Sequence, residues 1–272
     1  MPERKPPAID FAKVKSAATA ALSEKGEIIY REEETFTDKY ESDRLRTEIP
    51  GFDKILGGGI PRGATTLVAG GCGSGKSIFC LQTLYNGALK HDEPGAYISF
   101  EEPAESIRNT ARKFGWDVDA LEKKNVLKIM LKDPYEIKDF SKTLSGEMYY
   151  TFKDMGVKRI VIDSVTYLAS TVGNNYEIRK TVATLARRLR EIGASTFLVS
   201  EIPEGATGVG RYGMEEFVTD GVVKFHNIHL KENRQRAVEI LKMRRTKHSI
   251  LLHPFCINNK GITVFAEQPI FK

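Results

Sequence analysis

Cysteine is scarce in this sequence, and the three that occur, Cys72, Cys80 and Cys256, form no C-x-x-C pair and leave one over in any pairing. Neither a disulfide framework nor a zinc site is expected, and the thiols read as reduced. Long apolar runs are missing too. Hydrophobic residues make up 41% of the 272, yet no stretch approaches the ~18 in a row that a membrane span needs. The opening MPERKPPAID lacks the apolar segment of a secretory signal, so a cytoplasmic protein with no membrane attachment is the expectation. A strong charge imbalance is also lacking: 41 Lys and Arg against 36 Asp and Glu leave +5, too small a surplus to argue for nucleic acid by itself. The basic residues do cluster, as Arg187, Arg188 and Arg190 and again as Lys242, Arg244, Arg245 and Lys247. The first group fits a solvated helix face. There is no internal repeat.

What is present falls into two textures. Residues 1–44 combine a Pro-rich start, the alanine-rich AKVKSAATAALSEK and the acidic EIIYREEETFTDKYESD. They read as an N-terminal extension of one short helix and an acidic linker, either a mobile tail or a segment that docks a protein client or caps an oligomer. Residues 45–272 alternate short Val/Ile-rich runs with helical patterns. Strands are expected at TTLVAG, GAYISF, VLKIM, RIVIDS and STFLVSE, with helices at SIFCLQTLYNGAL and near 104–114, 139–155 and 177–192, and Gly115, Gly156 and Gly193 at helix C-termini. This predicts an α/β fold with a mostly parallel central sheet flanked by helices. Beyond residue 221, GVVKFHNIHL, RAVEILKMRR and GITVF read as antiparallel strands extending one edge.

Between the first strand and the first helix stands GGCGSGKS, residues 70–77, the pattern G-x-x-x-x-G-K-[ST]. Its backbone N–H groups suit a phosphate chain, with Gly73, Ser74, Gly75, Lys76, Ser77 and Ile78 as nucleotide-binding residues. Lys76 is placed to bridge β- and γ-phosphates and Ser77 to bind Mg²⁺. A second metal anchor is expected at Asp163, where RIVIDS leaves the sheet at its C-terminal edge. Hydrolysis needs a group that orients water, and Glu101 and Glu102 end the GAYISFEE strand at the same edge. Glu101 is the first choice, with Glu102 supporting it or touching the metal's water shell; both could also simply begin the next helix, where negative charge suits the dipole.

TEIPGFDKILGGGIPRGATTLVAG, GSGKS, EPGAYISFEE, ARKFGW, RIVIDSVT, RYGMEEFVTDGVV and ILKMRRTKHS, taken in order from about Arg44 to Phe265, resemble the KaiC-like branch of the RecA superfamily of P-loop ATPases. The resemblance implies a RecA-like fold and rings, commonly hexamers, with ATP and Mg²⁺ between neighbouring subunits. One subunit would offer the phosphate loop, the glutamates and the metal acid, and the next a basic finger corresponding to Lys242 and Arg244. Without the resemblance, KMRR would read as a basic edge strand. Met243, Thr246 and His248 match the family's base and ribose contacts, as do Asn258 and Asn259, which stand where the first domain of its two-domain clock members has Thr-Asp. Those members also carry a phosphorylated Ser-Thr pair in their second domain, and here Glu216 and Phe217 occupy its place before Asp220. The resemblance therefore implies an ATPase and not an autokinase.

Two other functions compete with this one. A recombinase-like DNA-binding protein would use basic, Gly-rich loops, and the candidates TVGNN and EGATGVGRYG contain one cation, Arg211, so nucleic acid is not favoured. A small-molecule kinase would need an acceptor pocket or lid, for which there is no sequence signature.

Overall fold

A computed structural model describes residues 43–135, 147–172, 174–203, 206, 208–230 and 233–268. The extension assigned to 1–44 lies outside the described residues except for its last two, as do parts of the helix expected near 139–155 and of both candidate DNA loops. In chain order the elements are β1 (Arg44–Leu45), α1 (Phe52–Ile55), β2 (Ile60–Pro61), β3 (Thr65–Gly70), α2 (Lys76–Lys90), β4 (Gly95–Ser99), α3 (Ala104–Lys113), α4 (Val118–Lys123), β5 (Leu127–Leu131), α5 (Glu147–Met155), β6 (Arg159–Asp163), α6 (Val165–Ser170), α7 (Asn175–Glu191), β7 (Ser195–Glu201), α8 (Glu215–Val218), β8 (Gly221–Leu230), β9 (Asn233–Met243), β10 (His253–Asn258) and β11 (Gly261–Val264).

Nine strands form one sheet in the order β11-β10-β9-β8-β3-β7-β6-β4-β5. The six from β8 to β5 run parallel, and β9, β10 and β11 are antiparallel. The expectation that antiparallel strands begin at 221 is corrected by one strand. GVVKFHNIHL pairs in parallel with β3, and the reversal comes only at β9. Apolar residues on both faces explain the near-continuous hydrophobic runs, since a sheet covered on both sides has no polar face to alternate with. Val68, Tyr97, Val161 and Phe197 pack into one core with Phe79 and Leu84 of α2. Their strand neighbours Leu67, Ile98, Ile160 and Leu198 pack into the other with Leu185 and Leu189 of α7.

The helices stop where the sequence marks them. Gly115, Gly156 and Gly193 have φ of 74°, 62° and 85°, the left-handed conformation that glycine adopts at little cost. Asn174 caps α7 by accepting the Glu177 N–H at 3.0 Å. Elements missed from the sequence are short. The turns α4, α6 and α8 have six, six and four residues, too few for a helical period to register, and β10 contains Pro254, which breaks a strand pattern.

Candidate active site at the C-terminal edge of the sheet

All of β3, TTLVAG, is buried, and it delivers the glycine loop to the C-terminal edge of the parallel strands. A Cβ on Gly70 would lie 2.5 Å from the Phe225 carbonyl oxygen and 2.7 Å from Ser74 Oγ, so only glycine leaves the strand here. Gly75, at φ 97°, turns the chain into α2. The loop closes on its own carbonyl: Ser74 Oγ donates to Gly71 O at 2.8 Å and Lys76 Nζ to the same oxygen at 2.9 Å. Burial lowers the Lys76 pKa, opposed by the negative charge of Glu201 and Asp163. An ammonium taken out of water is compensated best by an anion, and the N–H groups at the start of α2 favour the same charge.

Beside the loop, Ser77 Oγ donates to Asp163 Oδ2 at 2.8 Å, and the buried Tyr97 hydroxyl donates to that same oxygen. The two metal candidates are thus brought into direct contact. Hydroxyl and carboxylate oxygens are hard donors that fit Mg²⁺, which takes one or two protein carboxylates and completes its shell with phosphate and water. No group of three or more His, Cys, Asp or Glu able to hold a metal occurs among the described residues, so such an ion would draw its other ligands from the nucleotide and solvent.

Ser99 ends β4 directly opposite Asp163. Its Oγ accepts the Glu102 N–H at 2.9 Å and the Glu101 N–H at 3.4 Å, turning the chain so that the two acids part company. Glu102 accepts the Ser106 hydroxyl at 2.6 Å and shares a small cavity with Ser77, Ile78 and Tyr97. Glu101 has its pKa raised by partial burial and by the neighbouring charges of Glu201 and Asp163. Of the two, Glu102 ties the turn to α3, while Glu101 carries the charge influence of Glu201 and Asp163.

Glu201 was not singled out from the sequence. It ends β7 level with Gly70, its N–H is held by Thr166 Oγ1 at 2.9 Å, and its charge reaches both Lys76 and Glu101. The available signal was its place as the last residue of STFLVSE. Also unforeseen is a wall from the antiparallel strands. Arg236 Nε donates to the Gly73 carbonyl at 3.3 Å, and a Cβ on Gly75 would lie 3.2 Å from Ile257 Cδ1. Asn258 and Asn259 follow Ile257 at the β10–β11 turn, where Asn258 Oδ1 accepts the Lys260 N–H at 2.8 Å.

The finger residues stand elsewhere. Met243 pairs with Gly221, which is level with Thr66 at the start of β3, so Lys242 and Arg244 lie at the N-terminal edge. Six positions separate Arg236 from Lys242 along β9, about 20 Å at about 3.3 Å per residue. Lys242 Nζ donates to the carbonyls of Thr219 (2.6 Å) and Glu216 (2.9 Å), and Arg244 lies 3.6 Å from Asp220. Met243 is buried against Gly221. Thr246 Oγ1 accepts from Arg44 at 2.6 Å, and His248 Nδ1 is 2.9 Å from the Ser249 carbonyl.

Comparison with known proteins converges on one family. A family model described as "ATPase: KaiC" matches residues 45–269. The circadian clock oscillator protein KaiC of Synechococcus elongatus is 39% identical over 229 residues, which are 82% of this chain and 44% of that protein. KaiC of Parathermosynechococcus lividus is 40% identical over 230 residues, 82% of this chain and 42% of that protein. The chain thus spans less than half the length of these curated relatives. The crystal structure of a KaiC-like protein from the hyperthermophilic archaeon Pyrococcus horikoshii is similar with a TM-score of 0.73 and 35% identity, covering 82% of this chain and 98% of that one. With the glycine loop, Ser77 against Asp163, and the turned glutamates on a RecA-like sheet, this chain belongs to the KaiC ATPase family.

Proposed function

We propose that the chain hydrolyses ATP to ADP and phosphate with Mg²⁺, at sites completed between subunits of a ring. The observation that carries this reading is the separation of the finger from the loop. Along β9, Lys242 stands about 20 Å from Arg236, whose side chain reaches the Gly73 carbonyl, and Arg244 lies further still beyond the strand's end, so cations on that edge are better placed for a γ-phosphate on another copy of the chain. ATP would lie with its phosphates on the loop amides and Lys76, and with its base toward Ile257, Asn258 and Asn259. Mg²⁺, when bound by Ser77 and Asp163, would neutralise developing charge on the phosphates. Glu101 accepts a proton from the attacking water as its oxygen bonds to the γ-phosphorus. The bridging oxygen leaves with its electron pair on ADP. Lys242 and Arg244 of the neighbour stabilise the charge that spreads over the γ-oxygens.

The hydroxyl nearest the autokinase phosphosites supports hydrolysis over self-phosphorylation. Thr219 is fully buried and its Oγ1 donates to the Glu215 and Glu216 carbonyls at 3.2 and 3.4 Å. Glu216 and Phe217 offer no hydroxyl. Residues 1–44 are proposed to be a separate extension that docks a protein client. The assignment is tested by following free phosphate, phosphorylated protein and particle mass together. Turnover per subunit should rise over the protein concentrations at which the particle grows, with all label in free phosphate. Full turnover by a monomer, or label on Thr219, would contradict it.

A further inference from the structure

The N-terminal edge holds a group of charges that fold stability alone does not call for. Asp220 is pinned to the start of β3 twice: its N–H donates to the Thr65 carbonyl at 2.8 Å, and its Oδ2 accepts the Thr65 N–H at 3.0 Å. The same oxygen accepts from the Arg190 guanidinium, which also donates to the Gly63 carbonyl at 3.2 Å. That carboxylate is already partnered, yet Oδ1 faces a second cation, Arg244, at 3.6 Å, whose own N–H donates to the Asp220 carbonyl at 3.0 Å. With half its surface in water, Arg244 gains little from such a contact. Lys242 lies alongside, held by the carbonyls of Glu216 and Thr219, and its pKa is lowered by burial and by the nearby charge of Arg244. Arg190 and Arg244 both face the Asp220 carboxylate, and Lys242 beside them feels the charges of Arg244, Asp220 and Glu216. A lysine held beside a second cation is disfavoured as charged, and an anion arriving at that edge would relieve it.

We propose that Asp220 is the positioning residue of the finger: its carboxylate, fixed to β3, sets the direction in which Arg244, with Lys242 beside it, leaves the subunit toward a neighbour's γ-phosphate. The proposal rests on the between-subunit reading above. Asp220 acts through Arg244 rather than on the substrate. It acts by holding a long, flexible side chain near its productive orientation, where a misplacement of about 1 Å can cost about a hundredfold in rate.

The test is Asp220→Asn in the full chain, which keeps the side chain's size and an acceptor for Thr65 while removing the charge. ATP affinity and particle mass should match the parent, KM should change less than about twofold, and kcat should fall by about tenfold to a hundredfold. Mixed with Glu101→Gln/Glu102→Gln protein under subunit exchange, the variant should regain activity, because its intact glutamates then meet intact fingers. The control is Lys242→Ala/Arg244→Ala protein mixed in the same way. If the control regains activity and Asp220→Asn does not, the damage lies in the variant's own site or fold and the proposal falls. A parent-like kcat also overturns it. If the control itself fails, the between-subunit reading is wrong and takes this proposal with it. Should Asp220→Asn not fold, Asp220→Ser retains a hydroxyl for the Thr65 N–H and is judged by the same outcomes; if neither folds, Asp220 is a structural residue and the proposal is refuted.

Discussion

The two edges of the central sheet handle charge in opposite ways. At the C-terminal edge the partly desolvated Lys76, folded back on the Gly71 carbonyl, feels the charges of Asp163 and Glu201, which also act on Glu101, while Arg236 reaches the Gly73 carbonyl. At the N-terminal edge Arg190, Lys242 and Arg244 crowd around Asp220, with backbone carbonyls holding Lys242. Acids outnumber cations at the first edge, where a hydrolytic water would be activated, and cations outnumber acids at the second, where developing transition-state charge would be met. The parallel strands hold the two edges apart, and the proposal that subunits share a site rests on that separation.

Variants at one edge, at the other or between them should therefore separate cleanly. Lys76→Ala, at the phosphate edge, should have the largest effect, removing most nucleotide affinity in a folded protein. Titration with a fluorescent ATP analogue checks this, and near-normal binding would break the assignment of that edge. Glu101→Gln with Glu102→Gln should leave ATP bound and lower turnover by about 10² to 10⁴, read as free phosphate. Phe79→Ala serves as the control between the edges. Phe79 is fully buried at ring distances of 4.7 Å from Phe52 and 5.1 Å from Phe225, so its truncation should cost about 3 to 5 kcal/mol of stability. It should lower the melting temperature while leaving ATP affinity per folded molecule intact.

The smallest expected effect concerns pH. Burial and the charges of Glu201 and Asp163 raise the Glu101 pKa. A general base must be deprotonated, and a raised pKa keeps its proton on to higher pH, so the acid limb of kcat/KM should lie above that of an ordinary glutamate. Glu201→Gln removes one of those charges. The limb should then move to lower pH, and an unchanged limb would detach Glu201 from the site.

The two edges also differ in how far they were legible in the sequence. The loop was readable because GGCGSGKS needs glycine at Gly70 for a close approach and at Gly75 for a left-handed turn, demands that leave a pattern in neighbouring letters. Asp163 was readable because an acid directly after the buried run RIVI marks the point where a strand leaves the core and a carboxylate can meet metal and water. Glu201 ends an equally apolar run, yet its role depends on strand order: only β7 lying between β3 and β6 brings it beside Lys76. Arg236 was hidden for the same reason, since it reaches Gly73 across β8, from a strand distant in sequence from β3. The spacing of Lys242 and Arg244 suggested two cations on one face, and both do meet the 216–220 segment. Which end of the sheet they occupy followed only from β8 running parallel to β3, where the sequence had suggested antiparallel strands from residue 221 onward.

The central claim, that one subunit carries half a site, is tested most directly by complementation. Lys242→Ala/Arg244→Ala protein and Glu101→Gln/Glu102→Gln protein should each be nearly inactive alone. Mixed under conditions in which exchange of labelled subunits is demonstrated, they should regain a substantial part of the parent ATPase rate, because some interfaces then pair an intact finger with intact glutamates. Demonstrated exchange with no recovered activity would contradict the account, since every chain would then carry its whole site and remain defective in any company.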